Sequence, residues 1–145
     1  MTCVDLSKAF DCLNHDLLAI KLKKIGLNES FYKLLVSYIS DRQQIVKNNS
    51  SFSDMRDIIR GTPQGGVLSG LLFILYVNSI FKLQLFGEIH LYCDDITIVN
   101  SAHNSIVLQP IVLKSHIETD LSKVDKWLKF HYLSPNKDKS NYTIS

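Results

Sequence analysis

Two consecutive aspartates, Asp94-Asp95, interrupt an apolar alternation that otherwise runs from Ile89 to Ile98, and this constrains the fold more than any other feature of the chain. Ile89, Leu91 and Cys93 fall on one side of a period-two pattern, and Ile96 and Ile98 resume it after the acids. Such alternation belongs to a strand with one buried face, and a polar break inside it marks a reversal of direction. The pattern predicts an antiparallel β-hairpin tipped by the two carboxylates. Turns favour Asp, so on spacing alone an ordinary turn explains the pair better than a site does.

The remaining patterning surrounds this hairpin with helices. Met1–Leu6 is a short β-prone run with Asp5 near its end. Asn14 is a suitable N-cap for a helix with apolar Leu18, Leu22 and Ile25, which Gly26 stops. Asn28 or Ser30 caps a second helix, whose Phe31, Leu34, Leu35, Tyr38 and Ile39 form an amphipathic stripe. Gln44–Lys47 and Phe52–Ile59 flank the polar cluster Asn48-Asn49-Ser50-Ser51 and read as a second hairpin. A breaker-rich loop, Gly61-Thr62-Pro63-Gln64-Gly65-Gly66, precedes Val67–Phe81, which is apolar on nearly all sides and predicts a central helix buried beneath other elements. Leu113, Ile117, Leu121, Val124 and Leu128 mark a long amphipathic helix, Ser134–Ser140 a loop, and Asn141–Ser145 a last strand. The fold class is α+β: an antiparallel sheet with helices packed on one face.

Composition excludes several functional classes. A chain of 145 residues, 46% hydrophobic and 21% charged, suits one globular domain and needs no disulfide or structural metal merely to fold. Three cysteines, Cys3, Cys12 and Cys93, lack a disulfide or zinc rhythm and fit a reducing, intracellular setting. No basic region followed by an apolar run opens the chain, and the most apolar stretch is broken by Ser69, Gly70, Asn78 and Ser79, so neither a signal peptide nor a membrane span is expected. A net charge of +2 neither demands nor forbids a polyanionic partner.

Asp5 closing one strand and Asp94-Asp95 tipping another would present hard oxygen ligands at one sheet edge, the outline of a Mg²⁺ site. Here the chain resembles a known family. Val4-Asp5-Leu6-Ser7-Lys8-Ala9-Phe10-Asp11, Gly61-Thr62-Pro63-Gln64-Gly65-Gly66-Val67-Leu68-Ser69 and Tyr92-Cys93-Asp94-Asp95 are similar, in order, to motifs A, B and C of reverse transcriptases. His15, Ser37–Arg42 and Leu71–Asn78 between them resemble the non-LTR (LINE-type, jockey-like) retrotransposon branch, and Trp127 with Asn136–Ser140 resembles its motif D. The similarity spans essentially the whole chain. Motif B in this branch usually continues with Gly-Pro, where this chain has Ser69-Gly70, and motif C usually has Ala at position 93 and Thr at position 96.

The resemblance implies a polymerase palm and a role for each matching residue. Asp5 and Asp94 match the metal-binding carboxylates, which implies that they approach each other from adjacent strands, and Asp95 their companion acid; the implied cofactor is two Mg²⁺ ions, with Mn²⁺ as a substitute. Phe10 matches the bulky residue beneath the incoming sugar, Gln64 and Gly65 the contact with nucleotide and template, and Lys139 the lysine beside the leaving pyrophosphate. The implied activity is RNA-directed DNA synthesis, with RNA template, DNA primer and dNTP as partners. Residues 1–145 then form a partial domain with fingers and thumb absent, belong to a longer polyprotein, and are expected to be inactive alone. A non-catalytic remnant or nucleic-acid-binding module is the alternative; a two-metal nuclease explains neither Gln64 nor Phe10.

Overall fold

The computed structural model describes residues 1–100 and 110–143. In chain order its elements are β1 (Thr2–Asp5), α1 (His15–Ile25), α2 (Glu29–Ile39), β2 (Arg42–Gln44), β3 (Lys47–Asn48), β4 (Ser51–Phe52), β5 (Arg56–Ile58), α3 (Val67–Val77), β6 (Glu88–Tyr92), β7 (Asp95–Val99), α4 (Pro110–Phe130) and β8 (Asn141–Tyr142). Short 3-10 segments, Ala9–Asp11 and Asn78–Lys82, follow β1 and α3. The chain divides into two compact units: Met1–Ala9 with Val77–Ser145, and Phe10–Tyr76.

The first unit is built on a four-stranded sheet in the order β6-β7-β1-β8, with antiparallel pairing throughout. Strand alternation decides which face is covered. Val4 opposes Ile96 and Thr2 opposes Ile98, and all four are buried. Asp5, Cys3, Asp95 and Thr97 point to the other, wetter face. α4 covers the apolar face: Leu121, Val124 and Leu128 share a cavity wall with Val4, and Val124 and Leu128 are almost wholly buried. Two such side chains contribute about 2 kcal/mol each on leaving water. β8 adds a short edge strand, with Tyr142 opposite Thr2, and the Met1 amino group donates to the Thr143 carbonyl at 2.8 Å. The last two residues of the strand expected over 141–145 lie outside the described residues.

The second unit follows its capping signals closely. The Asn14 side chain accepts from the Leu17 N–H at 2.8 Å, and Gly26 ends α1 in the left-handed conformation at φ 81°. Asn28 caps α2 in preference to Ser30, accepting from the Phe31 N–H at 2.8 Å. Leu18, Leu22, Leu35 and Ile39 are fully buried, whereas Phe31 and Leu34 of the expected stripe are exposed. The hairpin expected around Asn48–Ser51 is present as two short ladders, β2 with β5 and β3 with β4. Between them Ser53 replaces regular pairing: its N–H donates to the Val46 carbonyl, and its hydroxyl accepts from the Val46 N–H, both at 2.9 Å.

The helix expected over Val67–Phe81 departs from the sequence reading in length and burial. α3 ends at Val77 and tightens into the 3-10 segment that follows. Leu72, Phe73, Tyr76 and Val77 are buried, but Val67 is 97% exposed and Leu71 and Ile74 are about half exposed. An apolar circumference says that no face prefers water; it does not say that another element covers every face. Gly70 leaves the helix unbroken. Among the described residues no helix is long and apolar enough to cross a membrane.

Candidate active site

The carboxylates meet through strand register, and the hairpin loop falls one residue earlier than the sequence predicts. In the β1–β7 pairing Asp5 stands opposite Asp95, which places their Cα atoms about 5 Å apart on one face of the sheet. Asp95 is also the closing residue of the β6–β7 hairpin, paired with Tyr92. The loop is therefore Cys93-Asp94, and the tip holds one of the two acids rather than both. Asp94 is a turn residue next to the pair, so the acid facing Asp5 across adjacent strands is Asp95 instead of Asp94.

The loop itself works against this register. Cys93 takes φ 54° while Asp94 does not enter the positive-φ region, the φ pattern of a type II′ hairpin turn. Positive φ costs a residue with a Cβ about 1 to 2 kcal/mol. Neither alternation nor turn propensity signals that choice, because Asp-Asp is the better turn pair.

Asp5 and Asp94 are half-buried and Asp95 is exposed. Among the described residues no ion pair neutralises any of the three. The next pair along the same face is Cys3 opposite Thr97, with Sγ and Oγ1 3.9 Å apart, so the surface beside the acids is small and uncharged. Three unneutralised hard oxygen donors at one sheet end suit a divalent cation such as Mg²⁺. They are not pre-gathered: among the described residues no three His, Cys, Asp or Glu form a ready metal-holding group.

A strap joins the segment carrying Lys139 to the end of β1. The Ser7 N–H donates to the Ser134 carbonyl at 2.9 Å, Leu6 bridges Pro135, and the Asn136 N–H donates to the Asp5 carbonyl at 2.8 Å. Asn136 then organises the turn beyond it. Its carbonyl accepts from the Ser140 N–H at 2.9 Å and hydroxyl at 2.6 Å, and its side chain accepts from the Asp138 N–H at 3.2 Å. Lys139 stands exposed on this turn. The role of Asn136 was not read from sequence, although Asn in a polar loop is an Asx-turn signal, its side chain accepting from the backbone N–H two residues on.

Phe10, Gln64 and Gly65 belong to the second unit, and there the loop before α3 is fastened to the 3-10 segment around Phe10. The Thr62 N–H donates to the Phe10 carbonyl at 3.0 Å and the Gly61 N–H to the Leu13 carbonyl at 2.8 Å. His15 Nε2 lies 2.7 Å from the Gly61 carbonyl. Gly61 has φ 83°, and a Cβ there would stand 2.9 Å from the Asp11 Cα, so both backbone angle and close approach require glycine. Phe10 is half-buried with its ring 4.7 Å from that of Phe73.

Gln64 is exposed, and its Nε2 donates to Asp11 Oδ1 at 2.7 Å, a partnership that sequence reasoning missed because 53 positions separate the two. Together they border a cavity of about 540 Å³ whose walls also include Arg42, Asp57 and Arg60. Gly65 turns at φ 78° into open space, whereas a side chain at Gly66 would collide with the Tyr38 hydroxyl. Of these two adjacent glycines, Gly65 alone has open space at its Cβ position. Ser69 donates its hydroxyl to the Pro63 carbonyl and ties the loop to the first turn of α3.

A family model described as "Reverse transcriptase (RNA-dependent DNA polymerase)" matches residues 1–144. The chain is 38% identical over 77 residues to the "Probable RNA-directed DNA polymerase from transposon BS" of Drosophila melanogaster, covering 53% of this chain and 8% of that protein. It is 32% identical over 99 residues to the "Probable RNA-directed DNA polymerase from transposon X-element" of the same organism, covering 66% of this chain and 11% of that protein. The chain thus spans about a tenth of the length of these curated relatives.

Proposed function

The chain belongs to the reverse transcriptase (RNA-dependent DNA polymerase) family, and from that membership we propose that it supplies the palm of an enzyme adding dNTPs to a DNA primer on an RNA template. The observation that carries this reading is the opposition of Asp5 and Asp95 across β1 and β7, with Asp94 at the adjoining turn. Asp5 and Asp94, supported by Asp95, would hold two Mg²⁺ ions, with Mn²⁺ as a chemical substitute. Bound there, the pair supplies charge neutralisation at the attacking 3′-hydroxyl and at the departing pyrophosphate.

The protein's own groups bind and orient. In this reading the Phe10 ring, backed by Phe73, lies beneath the sugar, where it excludes a 2′-hydroxyl and so prefers deoxynucleotides. Gln64 presents an amide that donates and accepts at once, and Asp11 fixes its orientation. Gly65 leaves the backbone beside it bare, so base and sugar can approach closely. Lys139 carries a positive charge on a turn anchored to Asp5, and it donates a proton to, or electrostatically relieves, the leaving pyrophosphate. Phosphoryl transfer owes its catalysis almost wholly to such positioning and charge placement.

RNA template, DNA primer, dNTP and the remainder of a longer polyprotein are the partners this function requires. The test is a chimera in which residues 1–145 replace the matching stretch of the X-element polymerase. Divalent-ion-dependent, RNA-templated dNTP incorporation that is lost in Asp94→Asn supports the proposal. Salt-sensitive RNA binding with no incorporation assigns the chain to nucleic-acid binding without catalysis.

A further inference from the structure

The hairpin carrying Asp94 and Asp95 has two registers that its hydrophobic pattern cannot tell apart. In the observed one Leu91 opposes Ile96, Ile89 opposes Ile98, and Cys93-Asp94 forms the loop. Sliding β6 along β7 until Cys93 opposes Ile96 and Leu91 opposes Ile98 would make Asp94-Asp95 the loop. Because the slide covers an even number of positions, every apolar side chain keeps the face it already occupies. Turn chemistry favours the slid register, since Asp tolerates positive φ better than Cys, and the observed loop holds Cys93 at φ 54°. The acids decide what is at stake. In the slid register Asp95 leaves the strand and its place opposite Asp5.

Selection against the slide comes from the open end of the hairpin. Asp120 of α4 is completely buried. Its Oδ1 accepts from the Phe86 N–H at 2.9 Å, and its Oδ2 accepts from the Gly87 N–H and the Asn100 side-chain amide, each at 2.9 Å. Phe86-Gly87 leads into β6 and Asn100 follows β7, so one carboxylate grips both strands. The Asn100 amide lies so close over Gly87 that a Cβ there would stand 2.7 Å from its nitrogen. Sliding the strands would bring Ile89 into the place of Gly87 and drive its Cβ into that amide.

We propose that Asp120, acting through Asn100 and Gly87, is a positioning residue that fixes the register of the β6–β7 hairpin and thereby keeps Asp95 opposite Asp5 and Asp94 at the turn. The register assignment stands on the hairpin itself, and its consequence for metal holding rests on the function proposed above.

The experiment is nuclear magnetic resonance on the full chain, reading cross-strand contacts that differ between registers: Leu91 to Ile96 in the observed one, Leu91 to Ile98 in the slid one. Contacts between Cys3 and Thr97 report that β1 and β7 remain folded. Asp120→Asn and, separately, Gly87→Ala are expected to populate the slid register above about 10%, the level at which a minor state becomes plain. Adding Cys93→Gly, which removes the cost of positive φ from the observed loop, should restore the observed contacts to Asp120→Asn.

If Asp120→Asn fails to fold, Gly87→Ala and Asn100→Ala carry the same expectation. Retention of the Leu91–Ile96 contacts alone in every folded variant overturns the proposal, as does failure of Cys93→Gly to restore them. Mn²⁺ titration of the same samples separates the two claims. A slid hairpin with Mn²⁺ affinity unchanged refutes the assigned role of the acids and leaves the register claim standing. The expected result is at least a fivefold loss, recovered with Cys93→Gly.

Discussion

Replacing Gly61 by alanine tests whether the loop before α3 is built around one close approach. Two penalties combine there. A φ of 83° strains any residue with a Cβ by about 1 to 2 kcal/mol. The new Cβ would also meet the Asp11 Cα at 2.9 Å, the Asp11 carbonyl oxygen at 3.0 Å and the Phe10 carbonyl oxygen at 3.1 Å, all of them backbone atoms that cannot rotate away. Overpacking of this kind costs about 1 to 3 kcal/mol. The loop cannot retreat cheaply, because the Gly61 N–H and carbonyl are engaged with Leu13 at 2.8 Å and His15 at 2.7 Å.

The expected loss is thus about 2 to 5 kcal/mol, a large part of the roughly 5 to 15 kcal/mol that holds a domain together. Gly65→Ala has the angle penalty without the clash, at φ 78° in open space, and should cost only about 1 to 2 kcal/mol. Gly70→Ala, inside α3 with nothing near its Cβ position, should instead stabilise by about 0.5 to 1 kcal/mol. Urea unfolding followed by circular dichroism, with hydrogen exchange of the α1 amides as the local readout, orders the three variants. A Gly61→Ala protein no less stable than Gly65→Ala would refute the reasoning.

Phe10→Ala, in the chimera described above, should raise ribonucleotide over deoxynucleotide incorporation by removing the volume beneath the sugar; an unchanged ratio with activity retained would restrict Phe10 to packing against Phe73. Purified residues 1–145 should bind nucleic acid weakly, lose it as salt rises, and show no detectable primer extension, because about 7 to 11 kcal/mol of catalysis comes from orienting the reactants and this chain, of net charge +2, is about a tenth of its relatives' length. Robust extension by these residues, abolished by Asp94→Asn, would contradict that expectation.

What was legible in the sequence divides along physical lines. Helix ends were readable because Asn14, Asn28 and Gly26 act on backbone within a turn of themselves. The sheet face and the α4 stripe were readable from period. Hairpin register was not, since alternation is blind to a shift by an even number of positions and the residues that resolve it, Asp120, Asn100 and Gly87, are scattered along the chain. Asp120 escaped notice for a second reason: an acid within an amphipathic stripe reads as an outward residue until its three donors are seen. The open face of α3 and the Gln64–Asp11 bond likewise depend on tertiary placement, which no local window contains. The acids, Phe10, Gln64 and Lys139 were assigned their proposed roles by ordered resemblance rather than by pattern. Asp94 and Asp95 alone would have passed for a turn.

The most direct test of the carboxylate site is paramagnetic broadening of backbone amide resonances by Mn²⁺ in the full chain, compared with Asp94→Asn. Mn²⁺ carries the same oxygen-donor preference as Mg²⁺ and marks nearby nuclei even when it binds weakly. The account predicts broadening centred on Asp5, Asp94 and Asp95, extending to the Asn136–Lys139 turn strapped to Asp5, and strongly reduced by the substitution. Broadening centred on other acids, or equal in both proteins, would contradict it.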